Sequence, residues 1–345
     1  MTLSKTLTKE KKHKYLVYVE KIERGLESEL SKGLEFVGWK EHVKKDSTVF
    51  LKPNFTFPVH REGITTSPSL LRALLKILRN RTSNVIVGES DGGNHSFTAE
   101  QSFKGHGMYE TCKEMGVELV NLSKLPSKHI SSKIQSKKVT VELPILLLQK
   151  VDCLISVPVM KVHVMTKVSL AIKNLWGCYP DTMRCLHHKN LDHKLVQIAK
   201  ILDPKIVVLD GTYMLDLHGP MFGTPIKRDL LLISNNCVAA DSLTALIMGV
   251  QPEQVGHVKL AEMERLGVTN PEMIVINEDW NRFKQKPVVL KKTVIDRLST
   301  LPFRSELVAK TLFDSPLTPL LYGAAGFMRT AEEKEVRNEL RKQQP

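Results

Sequence analysis

The chain has 345 residues, of which 42% are hydrophobic and 25% are charged, proportions typical of a soluble globular protein with a sizeable core. Its formal net charge of +13 favours anionic partners, but the basic residues are spread along the chain and no zinc-finger or aromatic-basic strand motif is present, so there is no strong nucleic-acid signal. The five cysteines include no C-x-x-C pair, which argues against a disulfide scaffold and favours a reducing compartment.

The first 14 residues are polar and rich in lysine, and they lack the apolar segment of a secretory signal. We expect them to form a flexible basic N-terminus. The most apolar run, residues 143–160, is interrupted by Gln149, Lys150 and Asp152, and it is therefore a poor candidate for a membrane span. These features predict a cytoplasmic protein without a membrane-spanning segment.

Strand-like and helix-like segments alternate from residue 15 to residue 276. The predicted strands are Tyr15–Glu20, Val49–Leu51, Asn84–Gly88, Val117–Asn121, Lys138–Leu143, Cys153–Val157, Ile206–Leu209, Leu230–Ser234 and Met273–Ile276. The predicted helices are Ile22–Trp39, Pro68–Leu78 with Ser67 as the N-cap, Thr98–Met115 with a break at Gly105 and Gly107, Leu195–Leu202, Val238–Met248 and His257–Leu266.

This alternation predicts an α/β protein with a largely parallel, doubly wound sheet and helices on both faces. We expect residues 15–280 to form the core, as one unit or two lobes. Residues 281–345 contain several prolines and a charged, helix-like end, and they predict an irregular and helical C-terminal appendage that wraps the core or mediates association.

Polar residues follow two of the predicted strands in the first half of the chain. Lys52 and Asn54 come where a strand ends at Pro53, and they could hold a phosphate or carboxylate or could form an ordinary polar strand end. Asp91 follows the next strand and precedes two glycines. It is a candidate general base, metal ligand or hydroxyl acceptor, but the sequence favours an Asx-turn, which Asp before Gly forms readily.

The run Cys153–Val157 ends at Pro158 and is followed by Lys161, His163 and Thr166. In an extended chain Lys161 and His163 point to the same side, where they could form a proton-transfer pair or an anion clamp. A nearby lysine lowers the pKa of a histidine, which would keep His163 neutral and able to act as a base. The alternative is a surface lysine beside a histidine bound to the backbone.

Lys173 and Asn174 lie on a helix-like segment among apolar neighbours. A partly buried lysine can have a lowered pKa and serve as a base or as a Schiff-base nucleophile. We favour an anion-binding role for Lys173, and the alternative is a packed stem with the ammonium group in water.

His187, His188 and His193 raise the question of a metal site. The last two are five residues apart and do not share a helix face, so the spacing predicts no metal and favours one of His187 or His188 as an acid, base or substrate donor.

Asp210 and Gly211 follow another predicted strand, and Gly219 lies in the loop beyond it. Asp210 could face the same cleft as Asp91, and the two glycines permit close approach of the backbone to a ligand. Ordinary loop geometry explains the glycines but not the acid.

Six segments in this order resemble the bacterial and archaeal family known as domain of unknown function 362: LKPNF at 51–55, GITTSPSLLRALL at 63–75, VIVGESDGG at 85–93, PVMKVHVMTKVSLAIKNLWG at 158–177, the Asp210 to Pro225 loop motifs, and AADSLTALIMG at 239–249. The resemblance covers roughly residues 15–267. It implies a cytoplasmic α/β enzyme and hints at redox chemistry, because some relatives carry ferredoxin-like modules. This chain lacks the C-x-x-C-x-x-C-x-x-x-C run of such a module, so an oxidoreductase would need an external electron donor.

The sequence thus favours an enzyme acting on a small anionic or oxygen-rich substrate, leaning to an oxidoreductase because of the resemblance. A metal-assisted proton-transfer isomerase or racemase is the second hypothesis. A non-catalytic module that binds polyanions or proteins is the third. The cofactor and the oligomeric state are left open.

Overall fold

A computed structural model describes residues 15–23, 25–291 and 301–316, together with the single positions 318 and 338. The predicted flexible segment 1–14 and, apart from position 338, the predicted helical end around 331–342 lie outside the described residues. The strands are β1 (Leu16–Lys21), β2 (Val49–Pro53), β3 (Val85–Glu89), β4 (Glu118–Asn121), β5 (Ser127–Ile134), β6 (Lys137–Pro144), β7 (Cys153–Val157), β8 (Val159–His163), β9 (Lys167–Ser169), β10 (Ile206–Asp216), β11 (Thr224–Ser234) and β12 (Val275–Ile276).

The helices lie between these strands and after them. They are α1 (Leu26–Phe36), α2 (Pro68–Arg79), α3 (Ala99–Gly105), α4 (Met108–Met115), α5 (Ile145–Gln149), α6 (Ala171–Asn174), α7 (Leu191–Leu202), α8 (Cys237–Ile247), α9 (Gly256–Met263) and α10 (Glu306–Phe313). As predicted, the Ser67 side chain accepts a hydrogen bond from Leu70 N at the start of α2, and the break between α3 and α4 occurs at Gly107, which has a φ of 65°.

The main sheet has the strand order β12-β1-β11-β10-β7-β2-β3-β4, and β8 pairs with β10 while β9 pairs with β8. Strands β10, β7, β2, β3 and β4 are parallel neighbours, whereas β11 is antiparallel to both β1 and β10. The predicted α/β class with a mostly parallel sheet is therefore confirmed. Within the described part of the chain, no helix combines the length and the apolar character that a membrane span requires.

Side chains alternate between two hydrophobic cores on opposite faces of the sheet. In β1, for example, Val17 and Val19 pack on one face and Tyr18 packs on the other. Helices α1 to α4 cover the face of Tyr18, and α5 to α9 cover the opposite face. Because both faces are covered, the central strands are apolar on both sides, which explains why β7 reads as a continuous apolar run.

The two directions of winding meet between β2 and β7. From β2 the chain proceeds through α2 to β3, and then through α3 and α4 to β4, on one side of β2. On the other side, β7 pairs with β2 and β10 pairs with β7. At such a switch point the connecting helices leave a crevice at the carboxyl ends of the strands, where α/β proteins bind ligands.

Three segments differ from the sequence prediction. Strand β5 was not predicted, because its side chains are mostly exposed and polar. Strand β8 follows directly after Pro158 and was not predicted as a separate element, but it gives the extended conformation in which Lys161 and His163 lie on the same side. The prediction that Asp210-Gly211 ends a strand is wrong, since β10 continues to Asp216 with a register shift between Gly211 and Tyr213. At Gly211 a Cβ atom would lie 2.7 Å from Leu230 O, so glycine permits the close pairing of β10 with β11.

Candidate functional site

A cleft of about 370 Å³ lies at the carboxyl ends of β2 and β3, next to β8, β9 and α6. Its other wall comes from the segments 176–188 and 220–221. Seven of the residues proposed from the sequence line this cleft: Lys52, Asn54, Lys161, His163, Lys173, Asn174 and His188. They come from four separate elements, and the tertiary structure brings them together.

Lys52 and Glu89 form a buried ion pair at the base of the cleft. Lys52 Nζ lies 2.6 Å from Glu89 Oε2 and also donates to Pro53 O at 2.7 Å. Glu89 accepts further hydrogen bonds from Phe55 N and Ser90 N, at 3.1 Å each. The Lys52 charge is therefore neutralised within the protein, and this lysine is a structural member of the cleft wall.

Two asparagines join β2, β8 and α6 through side-chain hydrogen bonds. Asn54 Nδ2 donates to Asn174 Oδ1 at 3.1 Å, and Asn174 Nδ2 donates to Lys52 O at 2.9 Å. Lys161 Nζ donates to Asn54 Oδ1 at 2.9 Å and to Ile64 O at 2.7 Å. All three side chains are buried, and such a satisfied network holds the surrounding backbone in one arrangement.

Lys161 has no carboxylate in contact among the described residues. Burial lowers its pKa well below the ordinary value, and the charges of Lys173 and Lys52 lower it further against the opposing effect of Glu89.

His163 accepts a hydrogen bond at Nδ1 from Met165 N at 3.1 Å. An imidazole that accepts at Nδ1 carries its proton on Nε2 when it is neutral. Burial, and then the charges of Lys173 and Lys161, lowers the pKa of His163 well below its ordinary value. The ring is thus held as a neutral imidazole whose Nε2–H is a hydrogen-bond donor.

Lys173 projects from α6 into the cleft and is partly buried. Its ammonium group has neither a hydrogen-bond acceptor nor an ion-pair partner among the residues that the structure describes. Burial, together with the charges of Arg184 and Lys52, lowers its pKa to about 7. The charge of Lys173 in turn lowers the pKa values of Lys161, His163 and His188.

The start of α6 is fixed by Asp241, which lies on α8. Asp241 Oδ1 accepts from Ala171 N at 2.7 Å, and Asp241 Oδ2 accepts from Ile172 N at 3.0 Å. The carboxylate therefore satisfies two of the free N–H groups at this helix end. Asp241 does not line the cleft, and it positions the helix that carries Lys173.

Arg184 lines the cleft and was not proposed from the sequence. Its Nη1 donates to Tyr179 O at 3.0 Å and to Asp181 O at 3.2 Å, and its Nη2 donates to Asp91 O. All of these acceptors are neutral carbonyl oxygens. Within the described residues no carboxylate is in ion-pair contact with this guanidinium group, and its Nε–H makes no hydrogen bond. Burial lowers the pKa of Arg184, and the nearby carboxylates of Glu89, Asp181 and Asp91 oppose this effect.

The aromatic side of the cleft is formed by Trp176 and His188, whose ring centroids are 5.6 Å apart. Trp176 Nε1 and His188 Nδ1 are buried and have no hydrogen-bond partner among the described residues. Burial and the charge of Lys173 lower the pKa of His188 to about 3, so this ring is neutral. Phe303, which precedes α10, packs against it with a centroid distance of 4.9 Å.

Three other proposed polar side chains lie outside the cleft. Asp91 Oδ1 accepts from Ala99 N and Asn121 Nδ2, both at 2.8 Å, and so orders the loop before α3. The buried Thr166 donates to Val168 O at 2.9 Å. His187 pairs with Asp181 at 2.7 Å, and this pairing lowers the pKa of Asp181.

Asp210, Gly211 and Gly219 do not line the cleft either. Asp210 accepts from Ser67 N at 2.8 Å and from Thr212 N at 3.0 Å beside a separate cavity of about 170 Å³. Gly219 packs against β8, where a Cβ atom would lie 1.8 Å from Val162 O, and the next residue, Pro220, reaches the cleft.

Sequence reasoning missed Glu89 and Arg184 for different reasons. Glu89 ends a strand just as Lys52 does, so the same strand-end argument that selected Lys52 could have found it. Arg184 lies in a short 3-10 turn, Arg184–His187, and no periodicity or motif marks it.

The cleft contains more positive than negative charge. Four cationic side chains, Lys52, Lys161, Lys173 and Arg184, line it together with a single carboxylate, Glu89. An excess of cations in a partly enclosed space attracts anions and raises their local concentration. Among the described residues no group of three or more His, Cys, Asp and Glu side chains has the arrangement of a metal site.

Comparison with known proteins gives a family and one relative. The model of the family described as "Domain of unknown function (DUF362)" matches residues 49–245, a span that includes every residue lining the cleft. A protein of Synechocystis sp. described as thylakoid-associated is 25% identical over 244 residues, covering 68% of this chain and 72% of the relative. No solved structure shows a significant match.

Proposed function

The chain belongs to the DUF362 family, whose description names no reaction, and we propose a function from the residues of the cleft. The cleft binds a small anionic substrate, and Lys173 exchanges a proton with that substrate. The observation that carries this proposal is Lys173, whose amine has neither a hydrogen bond nor an ion pair among the described residues although it lies in a partly enclosed cleft. Arg184 lines the same cleft and has no carboxylate in ion-pair contact in that part of the chain.

An anion would stabilise this arrangement. Taking a charge out of water is costly unless an opposite charge compensates it, and Glu89 is already paired with Lys52. A carboxylate or phosphate on the substrate would supply the missing negative charge. Both Nη1 and Nη2 of Arg184 already donate to backbone carbonyl oxygens, which leaves Nε–H and one Nη2–H for such an oxyanion. Lys173 adds a point charge.

Lys173 is also suited to proton transfer. A pKa of about 7 means that ammonium and amine are both populated at neutral pH, as acid–base catalysis requires. The neutral His163 can donate a hydrogen bond from Nε2 to an oxygen on which charge develops. These roles support an enzyme in preference to a module that binds extended polyanions through its surface.

The test is calorimetric titration of the purified protein with oxalate, malonate and inorganic phosphate. We expect Lys173→Ala and Arg184→Ala each to weaken binding at least about tenfold, since a charge-assisted hydrogen bond contributes roughly 1.5–3 kcal/mol. Lys128→Ala, which removes an exposed lysine from β5, is the matched control and should bind like the wild type. Equal weakening by all three variants would favour non-specific binding to the basic surface and would overturn the proposal.

An oxidoreductase is the second candidate. It is supported by the aromatic side of the cleft, where the rings of Trp176 and His188 could pack against a planar conjugated cofactor. Electrons would then come from an external donor. An absorbance spectrum of the protein as purified tests this candidate, and a flavin band that is lost in Trp176→Ala would support it.

We propose the cytoplasm as the site of action. All five cysteines are unpaired in the structure, as expected in a reducing compartment. The relative is described as thylakoid-associated, so association with a membrane is the alternative outcome for this chain. Cell fractionation decides between them, and recovery of the protein in the membrane fraction would contradict the cytoplasmic assignment.

A further inference from the structure

We propose that the substrate is a small 2-oxo acid, and that Lys173 Nζ adds to its carbonyl carbon to form an imine within the cleft. This inference rests on the proposed function, because it takes the same cleft and the same anion-binding cation, Arg184. It goes further in naming the electrophile and in giving Lys173 a covalent role.

Lys173 Nζ makes no hydrogen bond with the described residues, either as donor or as acceptor. Lys161, by contrast, donates to Asn54 Oδ1 and Ile64 O and is held in place by them. When the Lys173 amine is neutral, no donor in the described part of the chain binds its lone pair, so the nitrogen can approach a carbonyl carbon.

The surroundings of Lys173 also favour the unprotonated amine, which is the nucleophile. Only the unprotonated amine attacks a carbonyl group, and proteins obtain it at neutral pH by placing the lysine in a desolvated site or beside another cation. Lys173 has both features, since it is partly buried and lies near Arg184 and Lys52. Its pKa of about 7 supports this role, because a substantial fraction is then unprotonated at neutral pH.

The residues that share the cleft with Lys173 indicate the substrate class. Lys173, Arg184 and His163 line the same cleft of about 370 Å³. The cleft therefore offers a cation for a carboxylate and, because Met165 N donates to His163 Nδ1, an imidazole Nε2–H for a carbonyl oxygen. A carboxylate bonded directly to a carbonyl group places these two functions side by side, and that is the structure of a 2-oxo acid.

The step is balanced without an oxidant or reductant. The nitrogen lone pair forms the C–N bond while the carbonyl π electrons move to oxygen, which His163 Nε2–H stabilises by a hydrogen bond. The oxygen then leaves as water with the two protons that the amine nitrogen loses, and the product is the neutral imine. One further proton from solvent gives the iminium ion.

The experiment is reductive trapping. The protein is incubated with glyoxylate, pyruvate, 2-oxoglutarate or oxaloacetate in the presence of sodium cyanoborohydride, and intact mass and peptide mapping locate any adduct. We expect one equivalent of reduced ligand on Lys173, with a trapping rate that rises with pH and levels off above about 7. Lys173→Arg keeps the charge but has no amine that can form an imine, so it should give no adduct while still binding oxalate.

Two negative results have different meanings. If oxalate binds in the cleft but none of the four 2-oxo acids labels Lys173 above the exposed Lys128, the imine inference fails and the proposed anion site stands. If no oxyanion binds and no adduct forms, the proposed function fails as well. Equal labelling of Lys173 and Lys128 would indicate random modification of lysines and would also overturn the inference.

Discussion

Lys52 Nζ lies 2.6 Å from Glu89 Oε2, and the two side chains are only 1% and 6% exposed. The pair joins the carboxyl ends of the adjacent parallel strands β2 and β3, which are 37 residues apart along the chain at this point. The pair uses the only carboxylate among the residues lining the cleft in the described structure, and Lys161 and Lys173 have no carboxylate in contact there.

Loss of Glu89 should be strongly destabilising. Removing one member of a buried pair leaves an uncompensated charge, and we expect Glu89→Leu to lower the free energy of unfolding by about 3–5 kcal/mol in urea titrations. The double variant Lys52→Met, Glu89→Leu should be more stable than Glu89→Leu alone. Arg72→Ala breaks the exposed Arg72–Glu114 pair and should cost about 1 kcal/mol or less. A Glu89→Leu cost no larger than this control would contradict a buried structural pair.

Gly177 should be intolerant of even a methyl group. A Cβ atom there would lie 2.6 Å from Glu89 Oε1 and 2.7 Å from Lys52 Nζ. We expect Gly177→Ala to destabilise the protein by roughly 1–3 kcal/mol through overpacking and to weaken oxyanion binding. Gly93→Ala is the matched control for stability, because the nearest atom to its Cβ would be Arg184 Nε at 3.9 Å. Thermal unfolding of both variants gives the comparison, and similar stability of the two would count against this contact.

Removal of the Lys173 charge should stabilise the fold. The pKa of Lys173 is about 7 in the folded protein, below the ordinary value of 10.5, so the unfolded chain binds the additional proton between these values. Its contribution therefore makes wild-type stability increase as pH rises from about 7 to 10. We expect Lys173→Met to be more stable at pH 7 by about 0.5–2 kcal/mol while losing anion binding. Denaturant titrations should show this advantage shrinking towards pH 10, and a constant advantage would contradict the lowered pKa.

His163 should remain neutral across the physiological range. Burial and the charges of Lys173 and Lys161 lower its pKa, and the Met165 N–H donates to Nδ1. Nitrogen-15 NMR of labelled histidine should therefore show a neutral ring that is protonated at Nε2. Its chemical shifts should stay constant at pH values above the ordinary pKa of histidine. In Lys173→Met the His163 pKa should rise towards its usual range. Detection of the Nδ1-protonated form would be inconsistent with the hydrogen bond from Met165.

Asp241 should couple helix capping to anion binding. Asp241→Asn replaces one oxygen by an amide that cannot accept from the backbone N–H of α6, and we expect a loss of about 1.5–3 kcal/mol together with weaker oxalate binding. Ser67→Ala removes the cap of α2, away from Lys173, and should cost about 1 kcal/mol without affecting binding.

The pH dependence of this variant provides a second measurement. Burial raises the pKa of Asp241 to about 6, above the ordinary value of 3.8, so the folded state binds the additional proton between these values. This contribution makes wild-type stability decrease as pH rises from about 4 to 6, and Asp241→Asn should lack it. Equal pH profiles for the two proteins would contradict the raised pKa.

The sequence determined the alternation of elements and much of the location of the cleft. Apolar runs such as β7, the Ser67 cap and the Gly107 break are local signals, because they depend on side-chain polarity and backbone freedom at neighbouring residues. They identified Lys52, Lys161 and Lys173 as polar groups at the ends of strands or on a short helix. They also predicted a mostly parallel sheet, which the structure confirms.

Only the tertiary structure decided which charges remain free. Asp91 and Asp210 resemble site residues in the sequence but bind backbone N–H groups, whereas Glu89 neutralises Lys52 across two strands. Ion pairing depends on distances of a few ångströms between residues far apart in the chain, and no local pattern encodes these distances. For the same reason, the sequence could not show that Lys173 is unpaired or that it lines the same cleft as Arg184. Both features arise only when β2, β3, β8 and α6 meet at the crevice between β2 and β7.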